Sequence, residues 1–327
     1  MQPVNAALCG KLCLPVLGLL SLIVPVLPSA APPLPLLGYV CPTCPSAPHP
    51  SALLASLHPA YTHVAFAFAG WAADGSIINQ WDAPDKGFAL NASVVAALQA
   101  RGLSVSLSAG GGAGNVLPGA PPPGFAANML AGLSALVTSL RLDGIDFDLE
   151  NWPGDVPGIL AAAAAVRAVA AGLRAAHPAL RITGAPQMTD VYADYPAITA
   201  GFNRYTPLLA GGAGGVFDAL MPQMYNTWAQ VETAAYAQTY ARELIAGFAV
   251  SGGGPAPFNV SVPAEKLWLG FPASRQAAGS GFLAPADVVA AVRELQANGT
   301  RLGGLMTWSA GWDQQSGWVF ADAVAAG

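Results

Sequence analysis

The chain has 327 residues, of which 54% are hydrophobic and 9% are charged, and its formal net charge is −5. An ordinary soluble domain carries about 25% charged residues, so this chain has an unusually neutral surface. It contains no basic run, which disfavours nucleic-acid binding, because that depends on neutralising phosphates. An uncharged polymer such as a polysaccharide suits this composition better.

The amino-terminal residues 1–30 are predicted to be a secretory signal peptide with cleavage near 29–31. Residues 13–27 form an apolar run. A membrane anchor is the alternative, but the run is shorter than the ~20 residues of a spanning helix and contains Pro15 and Pro25. We therefore expect a secreted protein, extracellular, vacuolar or in a cell wall, with no membrane attachment after the signal is removed.

Secretion bears on the cysteines and on three glycosylation sequons. Cys41 and Cys44, in the stretch CPTC, are expected to form a disulfide in an oxidising compartment. A redox role is disfavoured because prolines follow the motif where a helix would have to start. Asn91, Asn259 and Asn298 each begin an Asn-X-Ser/Thr sequon and are candidate N-glycosylation sites.

Strand and helix patterns alternate along the rest of the chain. Short β-rich apolar runs predict eight strands, at 35–40, 62–70, 103–111, 142–150, 180–187, 217–226, 267–274 and 302–310. Amphipathic segments predict helices at 91–101, 125–140, 156–177, 229–248 and 285–297, with weaker ones at 51–57, 197–210 and 316–326. This alternation predicts a (β/α)8 TIM barrel as a single domain over 31–327. The short connection between strands 7 and 8 leaves no room for an insertion subdomain. Separately, we expect the protein to be a monomer.

The fourth predicted strand contains the most unusual stretch, DGIDFDLE, at 143–150. Because side chains alternate along a strand, Asp146, Asp148 and Glu150 share one face, and Ile145 and Phe147 take the other. The acids then line the barrel interior, with Glu150 at the carboxyl-terminal mouth, where barrel active sites lie. This arrangement predicts a catalytic site.

Spacing constrains the charges of these acids. Carboxylates about 6.6 Å apart repel by about 2.5 kcal/mol at an effective dielectric of ~20, equivalent to roughly two pKa units. Protons must therefore be shared along the row, and a carboxyl protonated near neutrality can serve as a general acid. Buried structural acids and a cation site are the alternatives, and the second needs oxygen ligands that the sequence does not identify. No metal or other cofactor is expected.

DGIDFDLE fits the DxxDxDxE signature of glycoside hydrolase family 18, the chitinase family, and other motifs resemble that family in the same order. SAGG at 108–111 resembles its SxGG motif, and QMYN at 223–226 resembles its Q-x-Y-N/D motif. Ala-Pro-Gln ending at Gln187 and a tryptophan in the eighth strand, Trp308, also match. The resemblance runs from about residue 35 to 325.

The resemblance implies a retaining mechanism in which the substrate's own 2-acetamido oxygen is the nucleophile. Glu150 would protonate the glycosidic oxygen and then act as base on water. Asp148 would orient the acetamido N–H, and Asp146 would share a proton with Asp148. Tyr225 would bind the acetamido carbonyl.

The resemblance also suggests which residues support this chemistry. Trp308 would form an apolar floor under the sugar, and further substrate contacts are expected from Gln223, Asn226, Gln187 and Phe68. Structural roles are expected for Asp143, Ser108, Gly110 and Gly111. Other tryptophans in the predicted mouth loops could stack on sugars or cover the core: Trp71, Trp81, Trp152, Trp228 and Trp312.

Two departures from the family pattern affect the groove. Many members have Tyr-Pro directly after the catalytic glutamate, whereas Asn151 and Trp152 follow Glu150 here, and the CPTC turn has no family counterpart that we can match.

We expect an endo-acting chitinase that binds chitin or N-acetylglucosamine oligosaccharides. The alternatives are an endo-β-N-acetylglucosaminidase acting on N-glycans and a non-catalytic lectin, which the presence of Glu150 and Tyr225 disfavours.

Overall fold

A computed structural model describes residues 33–44, 47–112, 115–227, 233–253 and 256–327, all within one unit that spans Pro33–Gly327. The predicted signal peptide lies outside the described residues. Eight parallel strands are found in this part of the chain: β1 Leu36–Val40, β2 His63–Trp71, β3 Ser104–Gly110, β4 Gly144–Asp148, β5 Arg181–Gly184, β6 Ala219–Leu220, β7 Trp268–Pro272 and β8 Gly304–Trp308.

The strands pair in the order β7-β8-β1-β2-β3-β4-β5-β6. Two isolated parallel bridges, Leu220 with Leu267 and Gln223 with Gly270, join β6 to β7 and close the circle. The predicted TIM barrel is therefore confirmed. Residues 273–303, between β7 and β8, contain one helix and no further strand, so the prediction of no insertion subdomain is also confirmed.

Helices surround the barrel. In the described residues they are α1 Pro50–Ala55, α2 Ala92–Gln99, α3 Phe125–Leu140, α4 Val156–Ala176, α5 Thr206–Leu209, α6 Ala234–Ala246, α7 Pro285–Ala297, α8 Ala310–Gln315 and α9 Val319–Ala326. Side-chain caps start several of them: Asn91 accepts hydrogen bonds from two backbone N–H groups of α2, and Asp155 accepts one from Gly158 of α4. α3 and α7 match their predicted bounds to the residue.

The longest helix, α4, is apolar enough in length and composition to cross a membrane. One side of it is buried, however, including Ile159, Val166 and Leu173. These residues belong to the continuous outer core between helices and sheet. α4 is therefore explained as a core helix of the barrel.

Two predicted elements are much shorter in the structure. The helix expected at 197–210 is reduced to α5, because the side chain of Asn203 satisfies the backbone of a loop: it accepts from Tyr192 N and donates to the carbonyls of Tyr192 and Tyr195. The strand expected at 217–226 is reduced to β6, because Pro222 has no N–H with which to continue the ladder.

Other elements were not predicted. Ile77–Asn79 pairs antiparallel with the end of β2, and Phe248–Val250 pairs with Phe258–Val260. The segment expected as one helix at 316–326 contains only α9, which begins after Trp318 in a left-handed conformation (φ 67°), and α8 precedes it. These additions lie outside the barrel strands themselves.

The amino-terminal end of the barrel is filled by a cationic and aromatic cluster. Arg181 and His63 are in hydrogen-bond contact, Nη1 to Nε2 at 2.6 Å, and the Arg181 guanidinium lies over the Trp268 ring at 5.3 Å. Burial, followed by the Arg181 charge, lowers the pKa of His63 to about 4, although the negative charge of Asp143 opposes the shift. His63 is therefore neutral in the folded protein under mildly acidic conditions.

This cluster predicts a stability change with pH. The unfolded chain protonates His63 near pH 6.5 but the folded chain only near pH 4, so its contribution is complete above pH 6.5 and is lost as pH falls to 4. We expect a loss of roughly 2–3 kcal/mol over that range. His63→Gln, which keeps an acceptor for Arg181, should remove this part of the pH dependence. Urea unfolding of the unmodified protein and of the variant at pH 4.5 and 7.5 tests this prediction. If the free energies of unfolding of the two proteins differ by the same amount at both pH values, the prediction is wrong.

Candidate active site

The three acids lie where the alternation of β4 places them. Ile145 and Phe147 are fully buried in the outer core against the helices, while Asp146 and Asp148 point into the barrel and are buried as well. Glu150 follows the end of β4 and is only partly buried. The acids therefore form a column that rises from the interior to the carboxyl ends of the strands.

Asp146, the deepest acid, is held by hydroxyl groups from three other strands. Its carboxylate accepts hydrogen bonds from Tyr39 Oη of β1, Ser108 Oγ of β3 and Thr183 Oγ1 of β5, each at 2.7 Å. Burial raises the pKa of Asp146, and the three hydrogen bonds oppose that rise. Asp146 thus joins three strands through its acceptors.

Asp148 has a different environment. Gln223 Nε2 donates to its Oδ1 at 2.8 Å, and a side-chain hydrogen bond links it to Glu150. Burial raises the pKa of Asp148 well above its ordinary value, with further contributions from the negative charges of Glu150 and Asp146 and from the bond to Glu150. These effects favour the protonated form of Asp148 beside Glu150.

The sharing of a proton between Asp146 and Asp148 stays a prediction. Asp146 accepts from three hydroxyl groups, and its negative charge is one of the causes that raise the pKa of Asp148. The negative charge of Glu150 contributes more to that rise than the charge of Asp146 does.

Two amide side chains fix the position of Glu150. Gln187 Nε2 donates to Oε2 at 3.2 Å, and Gln223 Nε2 lies 3.5 Å from Oε1. Gln187 and Gln223 also pair through their backbones, so the two amides lie side by side at the ends of β5 and β6. Gln223 contacts both Asp148 and Glu150, which makes it the link between the two acids.

A cavity of about 620 Å³ opens above the acids. It is lined by Cys41, Thr43, Cys44, Phe68, Asn79, Gln80, Asp82, Gly112, Asp148, Glu150, Gln223, Tyr225, Asn226 and Trp308. The Phe68 and Trp308 rings stack with centroids 5.9 Å apart and planes 17° apart. The cavity therefore combines an aromatic surface with carboxyl and amide groups, the combination that sugar rings require.

Tyr225 lies in the cavity wall beside the acids and is almost fully buried. Burial, followed by the negative charges of Asp148 and Glu150, raises its pKa well above the ordinary value. Its hydroxyl therefore keeps its proton at neutral pH and can donate a hydrogen bond into the cavity.

The predicted structural motif supports β4 from both ends. Gly110 has φ +125°, and a Cβ there would lie 1.9 Å from the Asp148 carbonyl oxygen, so only glycine allows β3 to approach β4 so closely. Gly111 N donates to the same carbonyl at 2.7 Å. At the other end, Asp143 Oδ2 accepts from Val105 N at 2.8 Å and from Gln99 Nε2 at 3.0 Å.

The remaining predicted residues are placed as follows. Asn226 lines the cavity with φ 53°, and its Oδ1 accepts from Gly279 N at 2.8 Å. Trp71, Trp81 and Trp152 are buried in the outer core, so their rings are not free to stack on a sugar. Trp312 is partly buried, and Trp228 lies outside the described residues.

The predicted modification sites are also located. Cys41 and Cys44 form a disulfide, with Cα atoms 5.4 Å apart. Asn91, Asn259 and Asn298 are all exposed. Glycosylation of these residues stays a prediction.

Sequence reasoning did not find Tyr39 and Thr183, although strand alternation in β1 and β5 could have placed both inside the barrel. It also missed a buried ion pair next to the site. Asp190, three residues after Gln187, is fully buried and bonded to Arg204, Nε to Oδ1 at 2.6 Å. Burial raises the pKa of Asp190 to about 6, against the opposing charge of Arg204. No signal in the sequence joined these two residues.

The described part of the chain contains no group of three His, Cys, Asp or Glu side chains suited to a metal ion. The groups that line the cavity beside the acids are carboxyl, amide, hydroxyl and aromatic groups. Together with the fold, they define a chitinase-like (β/α)8 barrel.

Comparisons with known proteins agree with this class. Chitinase Chi52 of Paenibacillus xylanexedens is 29% identical over 267 residues, covering 71% of this chain and 50% of that protein. The structure of a family GH18 chitinase from Chromobacterium violaceum aligns with a TM-score of 0.71 and 26% identity, covering 89% of this chain and 82% of that one. The chain is similar to chitinases of glycoside hydrolase family 18 in sequence and in fold.

Three further findings bear on whether the activity of these relatives can be assigned to this chain. No family model matches the chain. The chain spans about half the length of the first curated relatives that it matches. A xylanase and alpha-amylase inhibitor protein from Scadoxus multiflorus shares the fold, with a TM-score of 0.61 and 21% identity, covering 90% of this chain and 98% of that one. The fold alone therefore does not decide between catalysis and binding.

Proposed function

We propose that the protein is a secreted, endo-acting chitinase that hydrolyses β-1,4 bonds between N-acetylglucosamine units with retention of configuration. One observation carries the proposal: Asp148 is held between the Gln223 amide and Glu150 at the base of the cavity. A carboxyl pair that shares one proton supplies both an acid and an anionic partner.

The two acids take different parts in this reaction. Glu150, at the open end of the column, protonates the glycosidic oxygen as the bond to the anomeric carbon breaks. The acetamido carbonyl oxygen of the same sugar attacks that carbon, giving a cyclic cation. Asp148, left without the shared proton, accepts from the acetamido N–H and balances the positive charge. Glu150 then takes a proton from a water molecule as the water oxygen bonds to the anomeric carbon. The bond between that carbon and the acetamido oxygen breaks, which restores the acetamido group and the protonated acid.

The walls of the cavity orient the sugar. Tyr225 keeps its phenolic proton and can donate to the acetamido carbonyl, directing that oxygen at the anomeric carbon. The stacked pair of Phe68 and Trp308 offers an apolar surface to the sugar ring. These contacts favour a substrate with an N-acetyl group.

The short connection between β7 and β8 supports endo action. Residues 273–303 add only α7 and turns, so no inserted subdomain covers the groove on that side. An open groove admits an internal stretch of polymer, and we propose poorly processive cleavage for that reason.

Product analysis tests the proposal. The purified protein is incubated with fluorogenic chitotetraose and with soluble chitin, and early products are followed by mass and by NMR. We expect a mixture of oligosaccharide lengths, with the β-anomer formed first. Release of dimers alone from chain ends would exclude endo action, and an α-anomer formed first would exclude retention.

Two other functions would be recognised by different outcomes of such an assay. Release of intact glycans from a glycoprotein, with no cleavage of chitin oligosaccharides, would favour an endo-β-N-acetylglucosaminidase with the same acid column. Oligosaccharide binding without turnover would favour a lectin or an inhibitor, consistent with the inhibitor protein that shares this fold. The presence of Glu150 and Tyr225 in the cavity favours catalysis.

A further inference from the structure

The disulfide-closed turn after β1 reaches the cavity that contains the acids. Cys41, Thr43 and Cys44 line the same cavity as Glu150 and Trp308. A disulfide that served only to hold the fold together would be expected to join distant parts of the chain, because longer closed loops give more stability. This one closes a sequence separation of three residues.

The disulfide lies against the aromatic surface of the cavity. Cys41 is buried in the inner apolar cluster with Tyr39, and Cys44, Phe68 and Trp308 pack against that cluster. A second, small cavity of about 20 Å³ is lined by Cys41, Cys44 and Trp308 as well. The disulfide and the Trp308 ring therefore border both cavities and belong to the same apolar cluster.

The turn is held in place by hydrogen bonds from Lys86 and from its own residue Thr43. Lys86 Nζ donates to the carbonyl oxygens of Pro42 at 2.9 Å and of Cys44 and Ala47 at 3.4 Å. Thr43 Oγ1 donates to Gln80 O at 3.2 Å. The turn is thus held between a lysine outside and the aromatic cluster inside.

We infer that the Cys41–Cys44 disulfide positions Trp308 and forms one wall of the sugar-binding cavity, so that it determines substrate affinity rather than the chemical step. The inference rests on the proposed function and deepens it by assigning a specificity role to the CPTC turn. The hydrogen bonds that hold the acids come from hydroxyl and amide side chains of the barrel strands and their ends. We therefore expect the reaction itself to proceed without the disulfide.

The test compares the unmodified protein with the double variant Cys41→Ser/Cys44→Ser on chitin oligosaccharides of defined length. We expect KM to rise by about 2- to 10-fold, the effect of losing one aromatic packing contact, with kcat within about twofold and an unchanged pH profile. A phosphine reductant applied to the unmodified protein should raise KM to the same extent and leave the double variant unaffected. This second arm does not depend on the variant folding.

Two lysine variants provide a matched pair. Lys86→Met removes the outer support of the turn and should raise KM in the same direction. Lys266 makes the same kind of contact elsewhere, with Nζ donating to the carbonyls of Ala213 and Phe217 at 3.1 Å each. Lys266→Met should therefore leave KM unchanged.

The outcomes separate this inference from the proposed function. Turnover of the unmodified protein with no change of KM on loss of the disulfide overturns the inference alone. A fall in kcat that follows a loss of folded protein, measured by circular dichroism, also overturns it, because the disulfide would then serve stability only. If the unmodified protein shows no turnover, the proposed function fails, and calorimetric binding of chitotetraose replaces KM. Weaker binding without the disulfide then supports the inference, and equal or absent binding overturns it.

Discussion

Glu150→Gln should lower kcat on chitin oligosaccharides by about 10²–10⁴-fold, the usual contribution of a general acid–base group. The amide has nearly the same shape and can still accept from Gln187, so the cavity keeps its form. It cannot deliver a proton to the glycosidic oxygen. We therefore expect oligosaccharide binding to survive while turnover is lost.

The measurement is steady-state turnover of fluorogenic chitotetraose together with calorimetric binding of the unlabelled sugar. Glu265→Gln, the same substitution at an exposed site, is the control and should leave both quantities unchanged. Undiminished turnover in Glu150→Gln would remove Glu150 from the mechanism.

Asp148→Asn should lower kcat by about 10²–10³-fold, the size of effect seen when one group that stabilises transition-state charge is removed. The amide cannot balance the positive charge of the cyclic cation, and it takes away one member of the pair that shares the proton. The substitution also removes a negative charge beside the remaining acid, and a carboxyl group without a negative neighbour loses its proton at lower pH. The alkaline limb of the kcat/KM profile should therefore move to lower pH.

Asp143→Asn is a control within the same stretch of sequence. It makes the same chemical change just before β4, where the side chain retains an acceptor for Val105 N, far from the cavity. We expect its kcat and pH profile to match those of the unmodified protein. If neither limb of the kcat/KM profile against pH moves in Asp148→Asn, then Asp148 does not govern the protonation of the site.

The sequence was sufficient for the barrel and for the acid column because both depend on local periodicity. Alternation along DGIDFDLE placed Ile145 and Phe147 against the helices and the acids inside, without knowledge of any partner strand. Helix α3 was predicted to the residue because a buried apolar position recurs every four residues, from Phe125 to Met129, Leu133 and Val137.

The partners of the acids could not be predicted in the same way. Tyr39 lies 107 residues from Asp146, and Gln223 lies 75 residues from Asp148, so each contact depends on strand order and register. The ends of β5 and β6 were overextended because Pro186 and Pro222 interrupt the ladder.

The closure of the barrel has a consequence for how the site is assembled. Gln223 lies at the junction of β6 and β7, where its backbone pairs with Gln187 on one side and with Gly270 on the other. Its side chain also holds Asp148 and Glu150. The segment that closes the circle of strands is therefore also the segment that carries the amide in contact with both acids. A substitution that disturbs this junction should alter the acids of β4 as well, although they lie two strands away from β6.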